Sequence, residues 1–186
     1  MGGGESRRIQ RRIPANSGRT PRTYAKDVPD SMFDPDDLDP TTAAYHEAGH
    51  VLMAHLLGGR VVGASIEHDE EELMGQTAIE WVGLDPVERA RRSAMVALAG
   101  PVAEAWWRGE ASLLDALTAW RADWQEVERA LLVVPEGERD QTLHGWIADV
   151  RFELLNEVAW EHVCRVADML EAHGTLDETL VEDALS

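Results

Sequence analysis

The residues of this chain best suited to chemistry lie in the segment His46-Glu47-Ala48-Gly49-His50, which follows the pattern His-Glu-x-x-His. On a helix, side chains four positions apart lie on one face, so His46 and His50 could bind the same metal ion. Glu47, next to the first histidine, is then placed to act on a water molecule beside the metal. Two imidazoles, a carboxylate from elsewhere and one open position make up a hydrolytic zinc site.

A buried helix is predicted around this motif. Residues 40–42, Pro-Thr-Thr, offer an N-terminal cap, and Gly58-Gly59 offers a C-terminal stop. The residues between them are apolar on nearly every face, which is typical of a helix surrounded by protein. Buried polar side chains need partners. A metal would supply one, and the alternative is a pair of core histidines hydrogen-bonded to the backbone.

A third protein ligand is expected, because two histidines alone hold a catalytic zinc poorly. A Gly-x-x-His continuation would supply a third histidine, but Met53 and Leu56 occupy those positions. The ligand should therefore be a carboxylate distant in sequence. The residues themselves leave three candidates, which are Glu104, Asp115 and Asp123.

The remaining elements predict a fold that is mainly α (α+β). Residues 60–68 and 75–81 are rich in β-branched side chains, and apolar and polar residues partly alternate along them. An acidic turn separates the two segments, so the sequence predicts a hairpin or small sheet. This sheet could add a peptide substrate as an extra strand, or it could only cover the core. Helices are predicted from Asp85-Pro86 to Gly109 with a break or kink at Gly100-Pro101, over 112–134, from about 141 to 173, and from 176 or 177 to 185.

Charge and composition exclude several classes of protein. The chain carries −18, but residues 1–26 hold seven basic residues against Glu5, a net +6, so the remainder carries −24. An acidic body argues against nucleic-acid binding by the folded part. No signal peptide and no membrane-length apolar run is found, and the single Cys164 fits a reducing compartment. We expect a cytoplasmic protein with a disordered tail, 1–40, and one folded domain, 41–186.

Three segments of the chain resemble the zinc-peptidase domain of FtsH-type ATP-dependent proteases. The motif followed by Val51 to Leu57 is similar to the family's zinc helix. Residues 98–104, Leu-Ala-Gly-Pro-Val-Ala-Glu, resemble its Leu-Gly-Gly-Arg-x-Ala-Glu segment and depart from it at Ala99 and Pro101. Residues 122–130 resemble its Asn-Asp-Leu-x-x-Ala segment, whose Asp is the third zinc ligand. The resemblance covers roughly residues 41–186.

The resemblance implies a helix-rich, zincin-like peptidase fold that binds one Zn²⁺ per chain through His46, His50 and Asp123. Glu47 would be the catalytic residue, taking a proton from the attacking water and giving it to the leaving amine. Glu104 would either orient the ligands from behind or replace Asp123 as the ligand. The implied substrates are peptides or unfolded proteins.

The family's membrane segment and ATPase module have no counterpart in this sequence, which lacks a Gly-x-x-x-x-Gly-Lys-Thr phosphate loop. We therefore expect cleavage that is independent of ATP or that relies on a separate partner protein. The alternative is a catalytically silent, zinc-stabilised protein-interaction module. The intact Glu47 favours the enzyme, because a structural zinc site has no use for a general base.

Overall fold

The computed structural model describes residues 39–67, 76–109 and 120–186. These residues form a mainly helical fold with one small antiparallel sheet, which confirms the predicted fold class. The elements in chain order are α1 (Pro40–Leu56), β1 (Arg60–Ser65), β2 (Gln76–Glu80), α2 (Pro86–Arg108), α3 (Arg121–Leu131), a 3₁₀ turn (Glu136–Glu138), α4 (Arg139–Leu154), α5 (Glu157–His173), β3 (Thr175–Asp177) and α6 (Glu178–Leu185).

Helix α1 is the centre of the core, and every residue from Thr42 to Ala54 is buried. A helix that is apolar on all faces needs cover on all sides, which α2, α5, α4 and the sheet provide. Its C-terminal stop is the predicted glycine pair. Gly58 has a φ of 75°, and the N–H of Gly59 donates to the carbonyl of Ala54 at 2.8 Å. At the other end the helix begins at Pro40 without a side-chain cap.

The sheet has the strand order β2-β1-β3, and both pairings are antiparallel. The pairing of β1 with β2 confirms the predicted hairpin, with a bulge between Val61 and Gly63. Strand β3 was not predicted, because the sequence places the start of the last helix at 176 or 177 and the observed helix begins at Glu178. Leu176 lies opposite Ala64 and is fully buried, so long-range pairing with β1 orders a segment that has no strand signal of its own.

Helix α2 begins as predicted, because the Asp85 carboxylate accepts hydrogen bonds from the N–H groups of Val87 and Glu88 at 2.9 and 3.0 Å. The helix continues through Gly100-Pro101 to Arg108, so these residues do not break it. Proline inside a helix removes one backbone hydrogen bond. Burial of the whole segment from Ala94 to Ala105 offsets that loss.

The C-terminal helices differ from the prediction at one point. The helix expected from about 141 to 173 is two helices, because the Asn156 side chain caps α5 by accepting from the N–H of Ala159 at 3.0 Å.

The helix predicted over 112–134 is observed at Arg121–Leu131. Asp115 and the first 38 residues of the predicted tail lie outside the described residues. None of the helices in the described parts of the chain is long and apolar enough to cross a bilayer.

Helices α1 and α2 approach so closely that only glycine fits at position 49. A Cβ atom there would lie 2.5 Å from the Ala99 carbonyl oxygen and 2.8 Å from the Ala103 Cβ. We expect Gly49→Ala to lower the free energy of unfolding by about 1–3 kcal/mol, because the added methyl forces the helices apart. Urea unfolding of the metal-free protein, followed by tryptophan fluorescence, measures this.

Gly145, an exposed glycine of α4, is the matched control, because a Cβ atom there meets nothing within 4 Å. Gly145→Ala should stabilise the protein by up to about 1 kcal/mol through helix propensity. Equal stability of the Gly49→Ala variant and the native protein would contradict the close approach of α1 and α2.

Candidate metal centre

His46, Glu47 and His50 are all buried, with 1%, 3% and 7% of their surfaces exposed. Their nearest ligand atoms lie within 4.8 Å of one another, close enough to hold a metal ion. The two histidines are one helical turn apart, as predicted, and their Nε2 atoms are 3.0 Å apart. The motif therefore presents both imidazoles to a single point inside the protein.

Each imidazole is oriented by a hydrogen bond on its other nitrogen. His50 Nδ1 lies 2.8 Å from the Val96 carbonyl oxygen, which can only accept, so this nitrogen carries the proton. His46 Nδ1 lies 3.3 Å from the Glu104 carboxylate and donates in the same way. In the neutral rings, both Nε2 atoms are then unprotonated. The lone pairs of the two Nε2 atoms therefore point at each other. A ring with its proton on Nδ1 and a free lone pair on Nε2 is a tautomer that metal-binding histidines adopt.

Asp123, in the first turn of α3, brings a carboxylate to the same point. Its Oδ2 lies 3.0 Å from His46 Nε2, and its Oδ1 lies 3.5 Å from His50 Nε2. The sequence distance to His46 is 77 residues. The fold thus brings Asp123, the ligand that the family resemblance implies, next to the two histidines of the motif.

The ligand atoms of these three residues lie at separations that fit a divalent cation. Ligands at about 2.0–2.2 Å from a tetrahedral metal are separated from one another by about 3.3–3.6 Å. The two Nε2 atoms are 3.0 Å apart, and the two Asp123 carboxylate oxygens lie 3.0 Å from His46 Nε2 and 3.5 Å from His50 Nε2. Three lone-pair donors at these distances repel one another unless a cation lies between them. A proton or a metal ion can fill that role.

The pKa values of the metal-free cluster also indicate that positive charge is stabilised at this point. Burial alone lowers the pKa of His46, but the hydrogen bonds to Asp123 and Glu104 outweigh it and raise this pKa to about 9. The pKa of His50 is also raised, because Asp123 outweighs burial there. Burial raises the pKa of Asp123, but the histidines hold it well below its usual range. Asp123 is therefore ionised, and a proton is held between it and His46.

Glu104 lies behind His46, on the Nδ1 side of the ring and away from the point where the other donors meet. It accepts hydrogen bonds from Arg108 at 2.9 Å and from the Trp120 indole N–H. The Trp120 ring also stacks on the His46 imidazole at 3.5 Å between centroids. The geometry favours Glu104 as the residue that orients His46, and Asp123 as the ligand.

The Glu47 carboxylate lies within 4.8 Å of the ligand atoms of both histidines and is held by Thr77 of β2, whose hydroxyl donates to it at 2.8 Å. Burial raises the pKa of Glu47, although the neighbouring histidines and Thr77 oppose this. A carboxylate with a raised pKa beside a metal position can exchange a proton with a water molecule.

The site opens into a cleft of about 710 Å³. The cleft is lined by β2 through Thr77 and Ile79, by α2, and by the start of α3. Gly100 of α2 keeps the metal position open, because a Cβ atom there would lie 2.6 Å from the Nε2 atoms of both histidines. A molecule in the cleft can therefore reach the position between the donors and Glu47.

The sequence did not reveal several residues of this site, namely Thr77, Val96, Gly100 and Trp120. In the sequence, Gly100 belongs to the predicted helix break and to the segment that resembles the FtsH family, and Thr77 belongs to a predicted strand. The position of Trp120, three residues before Asp123, is the one local signal that could have placed an aromatic ring near the site. The other described histidines are not part of the site, since His55, His144 and His173 are exposed and His162 is half-buried. His68 lies outside the described residues.

No protein-family model matches the chain, and no curated protein matches its sequence. The likeness to FtsH-type peptidases therefore stays a prediction carried by the motif residues.

Substitution of the two rival carboxylates distinguishes ligand from orienting residue. Loss of a residue that only orients a ligand weakens metal binding by roughly 10- to 100-fold. We expect Glu104→Gln to fall within this range and Asp123→Asn to exceed it, in Zn²⁺ titrations against a competing chelator. Glu126→Gln, in the same cleft but paired with Arg129, should leave the affinity unchanged. A larger loss for Glu104→Gln than for Asp123→Asn would reverse the assignment.

Metal affinity should also depend on pH up to about 9, because a metal ion must displace the proton held at His46. The apparent Kd for Zn²⁺ is expected to fall about tenfold per pH unit between pH 6 and 8.5. An ordinary histidine, with a pKa near 6.5, would give a plateau above about pH 7. A plateau there would contradict the raised pKa.

The metal-free protein should show the opposite trend in stability. The folded-state pKa of His46 lies above the unfolded value of about 6.5, so protonation stabilises the fold fully below pH 6.5. This contribution is lost as the pH rises toward 9. Urea unfolding of the metal-free protein at pH 6.5 and pH 9 measures the loss.

Proposed function

We propose that this protein is a zinc-dependent metallopeptidase, a relative of FtsH-type peptidase domains that hydrolyses peptide bonds in peptides or unfolded proteins. One observation carries the proposal. Three lone-pair donors, from His46, His50 and Asp123, meet within 3.0–3.5 Å of one another at a cleft, with the buried Glu47 beside them.

His46, His50 and Asp123 would hold the zinc, with a fourth position left open toward the cleft. A bound zinc lowers the pKa of water toward about 7 and polarises a carbonyl group as a Lewis acid. Three protein ligands with one open position are typical of catalytic sites, whereas structural zinc sites are closed by four. The count of protein donors therefore favours an enzyme over the silent interaction module.

Glu47 would act as the proton carrier of the reaction. Its Oε2 is held by the Thr77 hydroxyl, which leaves the other carboxylate oxygen available for a water molecule. Burial raises the pKa of Glu47, which brings this pKa closer to the pKa of an effective base near neutral pH. It would take a proton from the attacking water and then deliver it to the nitrogen of the leaving amine.

Strand β2 would position the substrate. Among the described residues it is an end strand of the sheet, paired with β1 on one side. Thr77 and Ile79 lie two positions apart, so their side chains are on the same face of the strand. Both line the cleft. An extended peptide can pair with such a strand through main-chain hydrogen bonds. A substrate bound in this way must already be unfolded, or a separate partner protein must deliver it.

Replacing Glu47 by glutamine separates catalysis from metal binding. We expect the native protein to cleave casein and Glu47→Gln to be slower by at least about 10²-fold, because general acid–base catalysis contributes roughly 10²- to 10⁴-fold. Both should bind one Zn²⁺ per chain by elemental analysis. Glu161→Gln, an exposed acid of α5, should cleave at the native rate.

Removal of zinc with a chelator should abolish cleavage, and added Zn²⁺ should restore it. If both the native protein and the Glu47→Gln variant bind zinc and neither cleaves casein or a pool of unfolded peptides, the interaction module becomes the better assignment.

A further inference from the structure

The cleft contains positive charge that no described carboxylate neutralises, although the chain as a whole carries −18. Two arginines line it, Arg89 of α2 and Arg121 of α3. Among the described residues, neither has a carboxylate partner within ion-pair distance. The one hydrogen bond that Arg89 makes to the described residues goes to the Trp81 carbonyl oxygen at 3.4 Å, which leaves most of its guanidinium N–H groups free to bind a ligand.

The other arginines in the first turns of α2 are already paired. Arg92 Nε lies 2.8 Å from the Glu88 carboxylate, and Arg91 Nε lies 3.7 Å from it. Asp85, one turn before Arg89, is used as the helix cap. Arg89 therefore faces the cleft without an acid on its own helix to neutralise it.

The carboxylates of the cleft are also engaged. Glu47 accepts from Thr77, Asp123 contacts both histidines, and Glu126 pairs with Arg129 at 2.5 Å. Away from the metal position, the charge left available to a ligand is therefore positive and lies on the two arginines. An anionic group on the ligand is the complement that this cleft fits.

Two of the cleft walls give the distance from the metal position to Arg89. Along β2, Thr77 contacts Glu47, and Trp81 lies four residues further on, a span of about 13 Å. Along α2, Val96 contacts His50, and Arg89 lies seven residues before it, a rise of about 10 Å. An extended peptide advances about 3.3 Å per residue, so the Arg89 guanidinium lies roughly two to four residues from a carbonyl at the metal.

We propose that Arg89 determines specificity by binding a substrate carboxylate two to four residues from the scissile bond. The inference rests on the peptidase function proposed above and adds a substrate class to it, namely acidic peptides. The carboxylate can belong to a glutamate or aspartate side chain or to a free C-terminus. In both cases the guanidinium would form charge-assisted hydrogen bonds with it.

The test uses the zinc-loaded full chain and a set of fluorogenic peptides in which one glutamate is moved along an otherwise neutral sequence. Each peptide has a glutamine counterpart, and each is made with a free and with an amidated C-terminus. We expect kcat/KM to be about tenfold higher for glutamate at one or two positions, two to four residues from the cleaved bond. A preference seen only with the free C-terminus would assign the carboxylate to the chain end.

Three variants connect this preference to the arginine. Arg89→Gln should abolish the preference while still cleaving the glutamine peptides, and Arg89→Lys should retain part of it. Arg91→Gln is the matched control, because Arg91 lies on the same helix outside the cleft lining, and it should keep the full preference. Equal rates for glutamate and glutamine peptides, or a preference that survives in Arg89→Gln, would overturn the inference and leave the peptidase assignment intact.

A binding measurement keeps the two proposals separable. Trp81 and Trp120 line the cleft, so peptide binding can be followed by their fluorescence in the native protein and in Glu47→Gln. The acidic peptide should bind about tenfold more tightly than its glutamine counterpart, and Arg89→Gln should remove the difference. If the binding difference is present but no peptide is cleaved, the peptidase function is rejected and the role of Arg89 in binding is kept. Equal binding of both peptides would reject the role of Arg89.

Discussion

Mutual repulsion between three electron-pair donors is the constraint on which this structure depends. His46 and His50 direct their Nε2 atoms at each other, and Asp123 adds a carboxylate within 3.0–3.5 Å of both. Neither ring can turn away, because the Val96 carbonyl and Glu104 fix the opposite nitrogens. The arrangement is stable only with a cation between the donors. The protein around it is organised to hold three groups that would otherwise separate.

Small residues make that organisation possible, because α1 and α2 must nearly touch for the site to form. At Gly49 there is no room for a Cβ atom against Ala99 and Ala103, and at Gly100 there is none against the histidine nitrogens. A close helix pair of this kind brings the Val96 carbonyl within reach of His50. Pro101 weakens α2 locally, but burial on α1 keeps the helix continuous. The same contact therefore supports the core and orients a ligand.

The parts of this structure that the sequence predicted are those encoded by local spacing. His46, Glu47 and His50 share a helical turn, so their common orientation follows from the helix period, and Asp85 and Gly58 mark helix ends by local chemistry. Long-range contacts were not predictable in this way. The residues alone did not separate Asp123 from Glu104, because the choice depends on which side of the His46 ring each reaches. Strand β3 exists because β1 pairs with it, and Thr77 reaches Glu47 through sheet register.

The charges around the site explain why its metal-free protonation and its fit to a divalent ion belong together. Three carboxylates, Glu47, Asp123 and Glu104, surround two imidazoles, and Arg108 is the one guanidinium that contacts this group among the described residues. With neutral imidazoles the cluster is negative, and buried negative charge takes up protons until it is balanced. The raised pKa values of His46 and Glu47 express that uptake. A divalent cation supplies two positive charges at the point where the donors meet, so it would release the proton at His46 and favour the ionised form of Glu47, the form in which a base can accept a proton.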